Sequence, residues 1–208
     1  MSWLLILGAY LLGSVSFAWL AAKSKGLDLR QHGSGNLGAT NVGRVMGRSW
    51  FFVVFFADLA KGLIPVLLAL LLVERHQAYP ALPVLVGAAA ILGHIFTCFH
   101  GFKGGKAVAT ALGVLIALVY IAAAIAFGVW LLVWALGYAV FQMKPSEAVG
   151  PASIIAALAV PIAHLSTFPA PWAVVNLPLT LFIFLAATLV IVRHRSNIAK
   201  LLKPRVAE

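Results

Sequence analysis

One stretch of this chain reads Gly33-Ser-Gly-Asn-Leu-Gly-Ala-Thr-Asn-Val-Gly-Arg44, rich in glycine, hydroxyl and amide groups where its flanks are apolar. Glycines let backbone N–H groups crowd around an anion with no Cβ in the way. Ser34, Asn36, Thr40 and Asn41 add neutral donors, and Arg44 adds a charged fork suited to a phosphate. Gly33, Gly35 and Gly38 also satisfy the dinucleotide-binding fingerprint letter for letter. Their setting offers no strand and no βαβ unit, so that reading is rejected. A flexible polar connector is the plain alternative.

A second stretch runs from Gly93-His94 through Phe102-Lys-Gly-Gly-Lys106 to Thr110. It is not a nucleotide-hydrolysing P-loop. His100 stands where the first glycine is required, and Ala107 replaces the magnesium-binding hydroxyl. Gly104, Gly105 and Lys106 at the start of a helix are expected to offer free N–H groups and the positive dipole end, beside the ammonium groups of Lys103 and Lys106. Membrane anchoring would explain the lysines but not the glycines.

The third stretch, Arg193-His-Arg-Ser-Asn-Ile-Ala-Lys-Leu-Leu-Lys203, is expected to continue as an amphipathic helix along the interface. Residues three apart share a helix face, so His194 and Asn197 can point together at a ligand. A plain basic anchor is the alternative. Asp58 and Lys61, also three apart but inside an apolar run, are expected to neutralise one another, because isolated charges in lipid are costly. They either support the site from below or serve structure alone.

Metal and nucleophile readings are poorer. His32, His76, His94, His100, His164 and His194 form no close ligand pair backed by carboxylates, and the five acidic residues are scattered. No metal and no cofactor is expected. Ser34 has no visible triad, and Cys98, the single cysteine, allows no internal disulfide or thiolate cluster.

The elements that must position these residues are helices in lipid. Of 208 residues, 63% are hydrophobic and 10% charged, more apolar surface than a soluble domain of this length can bury. Lipid leaves backbone groups to pair internally, which predicts an all-α integral membrane protein. Helices are expected near 3–22, 50–73, 81–98, 106–119, 121–141, 148–165 and 173–192. The first lacks a preceding positive charge and is long enough to span, so it reads as a retained helix rather than a signal peptide.

The stretch 106–141 is too long for one span and short for two. The charge pattern decides between them. Two crossings joined by a tight hairpin near Tyr120 place thirteen of the fifteen Lys and Arg residues on one side: Lys23, Lys25, Arg30, Arg44, Arg48, Lys103, Lys106, Lys144, Arg193, Arg195, Lys200, Lys203 and Arg205. Arg75 falls outside and Lys61 within the membrane. The expectation is seven transmembrane helices in one domain, residues 1–208, with the N-terminus outside and the C-terminus cytoplasmic. The net charge of +10 then reflects anionic headgroups and anionic substrates rather than nucleic acid.

Taken together, Ser34-Gly-Asn-Leu-Gly-Ala-Thr-Asn41, Gly93-His94 with Phe102-Lys-Gly-Gly-Lys106, Arg193-His194-x-x-Asn197-Ile198 and Asp58-x-x-Lys61-Gly62 resemble the bacterial acyl-phosphate:glycerol-3-phosphate acyltransferase family. The resemblance covers nearly the whole chain. It implies a small inner-membrane enzyme, active at the cytoplasmic face, that makes 1-acylglycerol 3-phosphate from acyl phosphate and glycerol 3-phosphate, the first step of bacterial phospholipid synthesis. It implies membrane lipid as surroundings and functional coupling to a peripheral enzyme that makes acyl phosphate.

By the same resemblance, Gly35, Asn36, Gly38, Ala39, Thr40 and Asn41 would wrap the acyl phosphate. Ser34, Arg44, Lys103, His194 and Asn197 would orient glycerol 3-phosphate, with His94, Gly104, Gly105 and Lys106 also at the substrates and Asp58 and Lys61 in support. Ala107, where the family usually has glycine, and Ser196, where many relatives are acidic, depart from the pattern. An activated donor needs positioning, charge neutralisation and a base. The base is expected to be a phosphoryl oxygen of the donor, with His194 as the rival. A transporter for phosphate-like anions would want its polar groups near the midplane, whereas here they cluster at one edge. The motifs also argue against a purely structural membrane protein.

Overall fold

The computed structural model describes residues 2–75 and 79–201; His76, Lys203, Arg205 and the Lys200 side chain lie outside the described residues. Among the described residues there are ten α-helices and no strand. They are α1 (Ser2–Ser14), α2 (Phe17–Lys23), α3 (Ala39–Met46), α4 (Arg48–Glu74), α5 (Leu82–Ile95), α6 (Val108–Leu118), α7 (Tyr120–Ala139), α8 (Pro145–Thr167), α9 (Leu177–Arg193) and α10 (Arg195–Leu201). α4, α7, α8 and the stretch Leu82–His100 are long and apolar enough to cross a membrane, and α1 with α2 makes a fifth crossing if that bent pair is one span. α6 and α9 are apolar but shorter, at 11 and 17 residues.

The packing runs α1 on α5, α4 on α5 and α6, α7 on α8, and α8 on α9. Lipid gives helices little hydrophobic reason to associate, so close backbone approach matters. A Cβ on Gly13 of α1 would strike the Ala90 carbonyl of α5, and one on Gly93 of α5 would strike that of Tyr10. Gly62 of α4 and Gly113 of α6 make the same reciprocal contact with Thr110 and Leu59.

The first predicted span is broken. α1 ends at Ser14, α2 restarts at Phe17 with the Ser16 side chain accepting from the Trp19 N–H, and the two are bent by 41°. Side chains from other helices satisfy the carbonyls released by the break. The Thr97 hydroxyl donates to the Ser14 carbonyl (2.7 Å) and the Lys61 ammonium to that of Val15 (2.8 Å). Lys61 also lies 2.8 Å from the Asp58 carboxylate, and both are buried.

Other bounds shift for local reasons. α5 stops at Ile95, and a 3-10 turn at Cys98–His100, capped by Thr97, follows it. α6 starts at Val108 because Ala107 sits in the left-handed region, φ 59°, which glycine tolerates best. α6 and α7 are separated by the single residue Val119. The region expected to be a loop contains α3, seated on a small core of Ala18, Ala22, Leu29, Leu37, Val42 and Val54.

Candidate active site

Gly33 and Gly35 both hold positive φ, 63° and 69°, and carry the chain from the 3-10 turn Leu29–Gln31 into α3. A Cβ on Gly35 would also press within 3.0 Å of the Arg30 carbonyl. α3 begins behind Gly38 with no side chain capping its first N–H groups, so donors and the positive helix end face the space before it. Asn36 and Thr40 are half-buried there, and Ser34 is exposed.

Asn41 does something other than expected. It is buried, its amide oxygen accepts from the Ser34 N–H (2.8 Å), and its amide nitrogen donates to the His32 carbonyl (3.0 Å). The side chain is committed to shaping the loop rather than offering donors to an anion. Arg44, exposed on α3, donates to the Ser146 carbonyl at the start of α8 (3.3 Å).

The second stretch corrects the sequence reading outright. The N–H groups of Gly104 and Gly105 are not free. They donate to the carbonyls of Ile95 (3.0 Å) and His94 (3.1 Å), closing the loop onto the end of α5. The glycines are there for close approach: a Cβ on Gly104 would strike the His94 carbonyl, and one on Gly105 the His94 ring. The charge of this stretch therefore resides in Lys103, exposed, and Lys106, half-buried. His94 itself is buried, hydrogen-bonded through Nδ1 to the Thr110 hydroxyl (3.0 Å), with the Asp58 carboxylate 3.8 Å away. It belongs with Asp58 and Lys61 beneath the site.

Three distant segments meet here. The Leu37 carbonyl would lie 3.0 Å from a Cβ on Gly105. Arg193 donates to the carbonyls of Gly104 (3.0 Å) and Gly105 (3.3 Å). The Lys106 ammonium donates to the Asn197 amide oxygen, and Asn197 packs on Gly150 of α8. Thr110, Gly150 and the structural role of Arg193 were not foreseen. Arg193 reads in sequence as an anchoring charge, whereas Gly150-Pro151 in an apolar helix was a readable sign of close approach.

His194 caps α9, and its carbonyl accepts from the Asn197 N–H (2.8 Å) at the start of α10, which holds the two side chains on one side. It is buried, and its Nδ1 donates to the Val190 carbonyl (2.8 Å), leaving Nε2 as an acceptor. Burial pushes its pKa down to about 4, against the Val190 bond, and the Lys106 charge pushes the same way. The imidazole is neutral at ordinary pH. Directly below lies an apolar cavity of about 80 Å³ between α6, α7, α8 and α9.

The model of the family described as glycerol-3-phosphate acyltransferase matches residues 3–204. The chain belongs to the glycerol-3-phosphate acyltransferase family. It is 43% identical to the glycerol-3-phosphate acyltransferase of Aquifex aeolicus over 97% of this chain and 95% of that one. To the protein of the same name from Desulforudis audaxviator it is also 43% identical, over 96% and 92%. Its fold is similar to the crystal structure of PlsY (YgiH), an integral membrane glycerol 3-phosphate acyltransferase in its glycerol 3-phosphate form. The TM-score is 0.80 at 39% identity, covering 97% of this chain and 92% of that one. A glycerol-3-phosphate acyltransferase fold of this kind is a multi-pass integral membrane protein, as the apolar helices require.

Proposed function

We propose that this acyltransferase moves a fatty acyl group from acyl phosphate to the 1-hydroxyl of glycerol 3-phosphate, releasing 1-acylglycerol 3-phosphate and phosphate as the first step of phospholipid synthesis. The observation that carries the reading is the meeting of Leu37, Gly105, Arg193, Lys106 and Asn197, which brings the cations of the second and third stretches against the loop that leads into α3. Two phosphorylated substrates need such a gathering of positive charge.

The backbone of Gly35, Asn36, Gly38, Ala39 and Thr40 holds the acyl phosphate at the start of α3, with Asn41 fixing the loop. Ser34, Arg44, Lys103, His194 and Asn197 orient glycerol 3-phosphate, and Lys106 sets the Asn197 amide. The donor's acyl chain enters the apolar cavity. The chain forms one domain of seven crossings in the bacterial inner membrane, N-terminus outside and C-terminus cytoplasmic, and draws its donor from a peripheral acyl-phosphate-making enzyme.

In the transfer, the glycerol oxygen bonds the acyl carbon and the acyl–phosphate bond breaks. The hydroxyl proton passes to a phosphoryl oxygen of the departing phosphate. His194 Nε2 accepts a hydrogen bond from the attacking hydroxyl and aligns it, but with a pKa of about 4 it is a weak resting place for the proton. His194→Gln will therefore lower kcat/KM about tenfold, the value of one aligning bond. The shape of the pH–rate profile will stay unchanged between about pH 5.5 and 8, because His194 is already uncharged there. A limb near neutrality that vanishes in the variant would make His194 the base.

Purified protein given acyl phosphate and labelled glycerol 3-phosphate, in metal-free buffer, will form lysophosphatidic acid. Product from an acyl thioester alone would reassign the donor.

A further inference from the structure

Besides the apolar cavity, a smaller and polar hollow lies under the Gly104–Gly105 loop, where the break between α1 and α2 meets Leu37, α4 and the end of α5. Its volume is about 10 Å³, room for one water molecule and no second. Its polar side chains Ser14, Lys61, His94 and Thr97 are all buried. Most hydrogen-bonding groups around it are committed. Thr97 Oγ1 donates to the Ser14 carbonyl and accepts from the Phe99 N–H. The Gly104 and Gly105 N–H groups reach the end of α5, and their carbonyls accept from Arg193.

The Ser14 hydroxyl is different. It is buried and has no hydrogen-bond partner among the described residues. A helical serine or threonine commonly donates to the carbonyl four residues back, as Ser153, Ser166, Thr167 and Thr188 do here. Ser14 forgoes that bond and borders the hollow instead. Two more groups border the same space. Lys61 has three N–H donors and places two, on Asp58 and Val15. The Phe17 ring, 5.7 Å from the ammonium, offers the third no lone pair. His94 uses Nδ1 on the Thr110 hydroxyl, and its Nε2 lies where a Cβ on Gly105 would fall. An ammonium donor, an imidazole nitrogen and a hydroxyl suit a neutral molecule that both gives and accepts hydrogen bonds. A cation would be repelled by Lys61, and a chloride ion is larger than the space.

We propose that the hollow is the binding site of one buried water, held by the Ser14 hydroxyl with Lys61 and His94, and that Ser14 is a positioning residue acting through it. The water braces the α1–α2 break against the loop that carries Lys103 and Lys106, and against Leu37 of the first loop. It steadies the floor of the substrate site without touching a substrate.

The direct test is a crystal structure of the full-length protein in lipid, at a resolution that shows ordered water. One peak is expected, about 2.7–3.2 Å from Ser14 Oγ and from Lys61 Nζ or His94 Nε2. An empty hollow, or an anomalous peak there after exchange of chloride for bromide, would overturn the proposal. Kinetics tests the role of Ser14. In Ser14→Val the branched side chain fills the hollow and expels the water, which will raise KM for glycerol 3-phosphate about tenfold with kcat little changed. Ser14→Ala will stay within about twofold of the parent, because the space it opens admits a second water in place of the hydroxyl. Equal losses in the two variants, or a folded Ser14→Val with parental KM, would show that no water acts there. The crystallographic arm stands even if Ser14→Val does not fold. Should acyl phosphate prove not to be the donor, the same comparison is run with the donor that supports turnover, so the two readings fail separately.

Discussion

Lys61→Met will lower the thermal midpoint sharply, by the equivalent of about 3–5 kcal/mol, and take activity down with it. The Lys61 ammonium is the counter-charge of the Asp58 carboxylate at 2.8 Å and the partner of the Val15 carbonyl at 2.8 Å, all in the buried interior. Methionine keeps the length of the side chain but strands a buried carboxylate and orphans a carbonyl at the break between α1 and α2. The double variant Asp58→Leu/Lys61→Met removes the stranded charge and will regain much of the midpoint, since apolar replacement of a complete buried pair is far milder than breaking it. Tryptophan fluorescence through thermal unfolding in nanodiscs measures both. A Lys61→Met midpoint within two degrees of the parent would show that the pair does not hold the break together.

Gly150→Ala will split stability from activity. Alanine is the better helix former by about 1 kcal/mol, and Gly150 lies inside α8, so the fold is unharmed or slightly firmer. The added Cβ falls on the Asn197 amide, the far end of a side chain that can rotate away. Rotation breaks the bond from Lys106 and removes the amide from the pocket, which will reduce kcat/KM about a hundredfold, the scale of losing one placed polar group at a reacting centre. Asn197→Ala will show a similar loss, and the double variant will lose little more than either alone, because both remove the same group. Additive losses would mean that Gly150 acts through something other than Asn197.

Much of this was legible in sequence because lipid simplifies the rules. Long charge-free runs must be helical, and the helices expected near 50–73, 121–141 and 148–165 fall on α4, α7 and α8 with ends moved by a few residues. The break at Val15 was not legible, since Ser14-Val15-Ser16 suits a continuous membrane helix. What breaks it is donors from elsewhere, Thr97 and Lys61, that accommodate the freed carbonyls. Gly104 and Gly105 were misread for a similar reason. Glycine next to lysine looks like an anion cradle, but the N–H groups of Gly104 and Gly105 have partners nine and eleven residues back in the chain, at the end of α5. Asn41, too, is an amide whose role depends on which loop atoms surround it.

α6 and α7 rise from the single residue Val119, yet one has 11 residues and the other 20. The shorter helix ends nine residues sooner, about 14 Å of helix, and it is the one that carries Lys106 and Ala107 at its tip. On the proposed function, a greasy donor would then meet its water-borne acceptor below the level of the end of α7, and the small, soluble partner would be the one to make the descent.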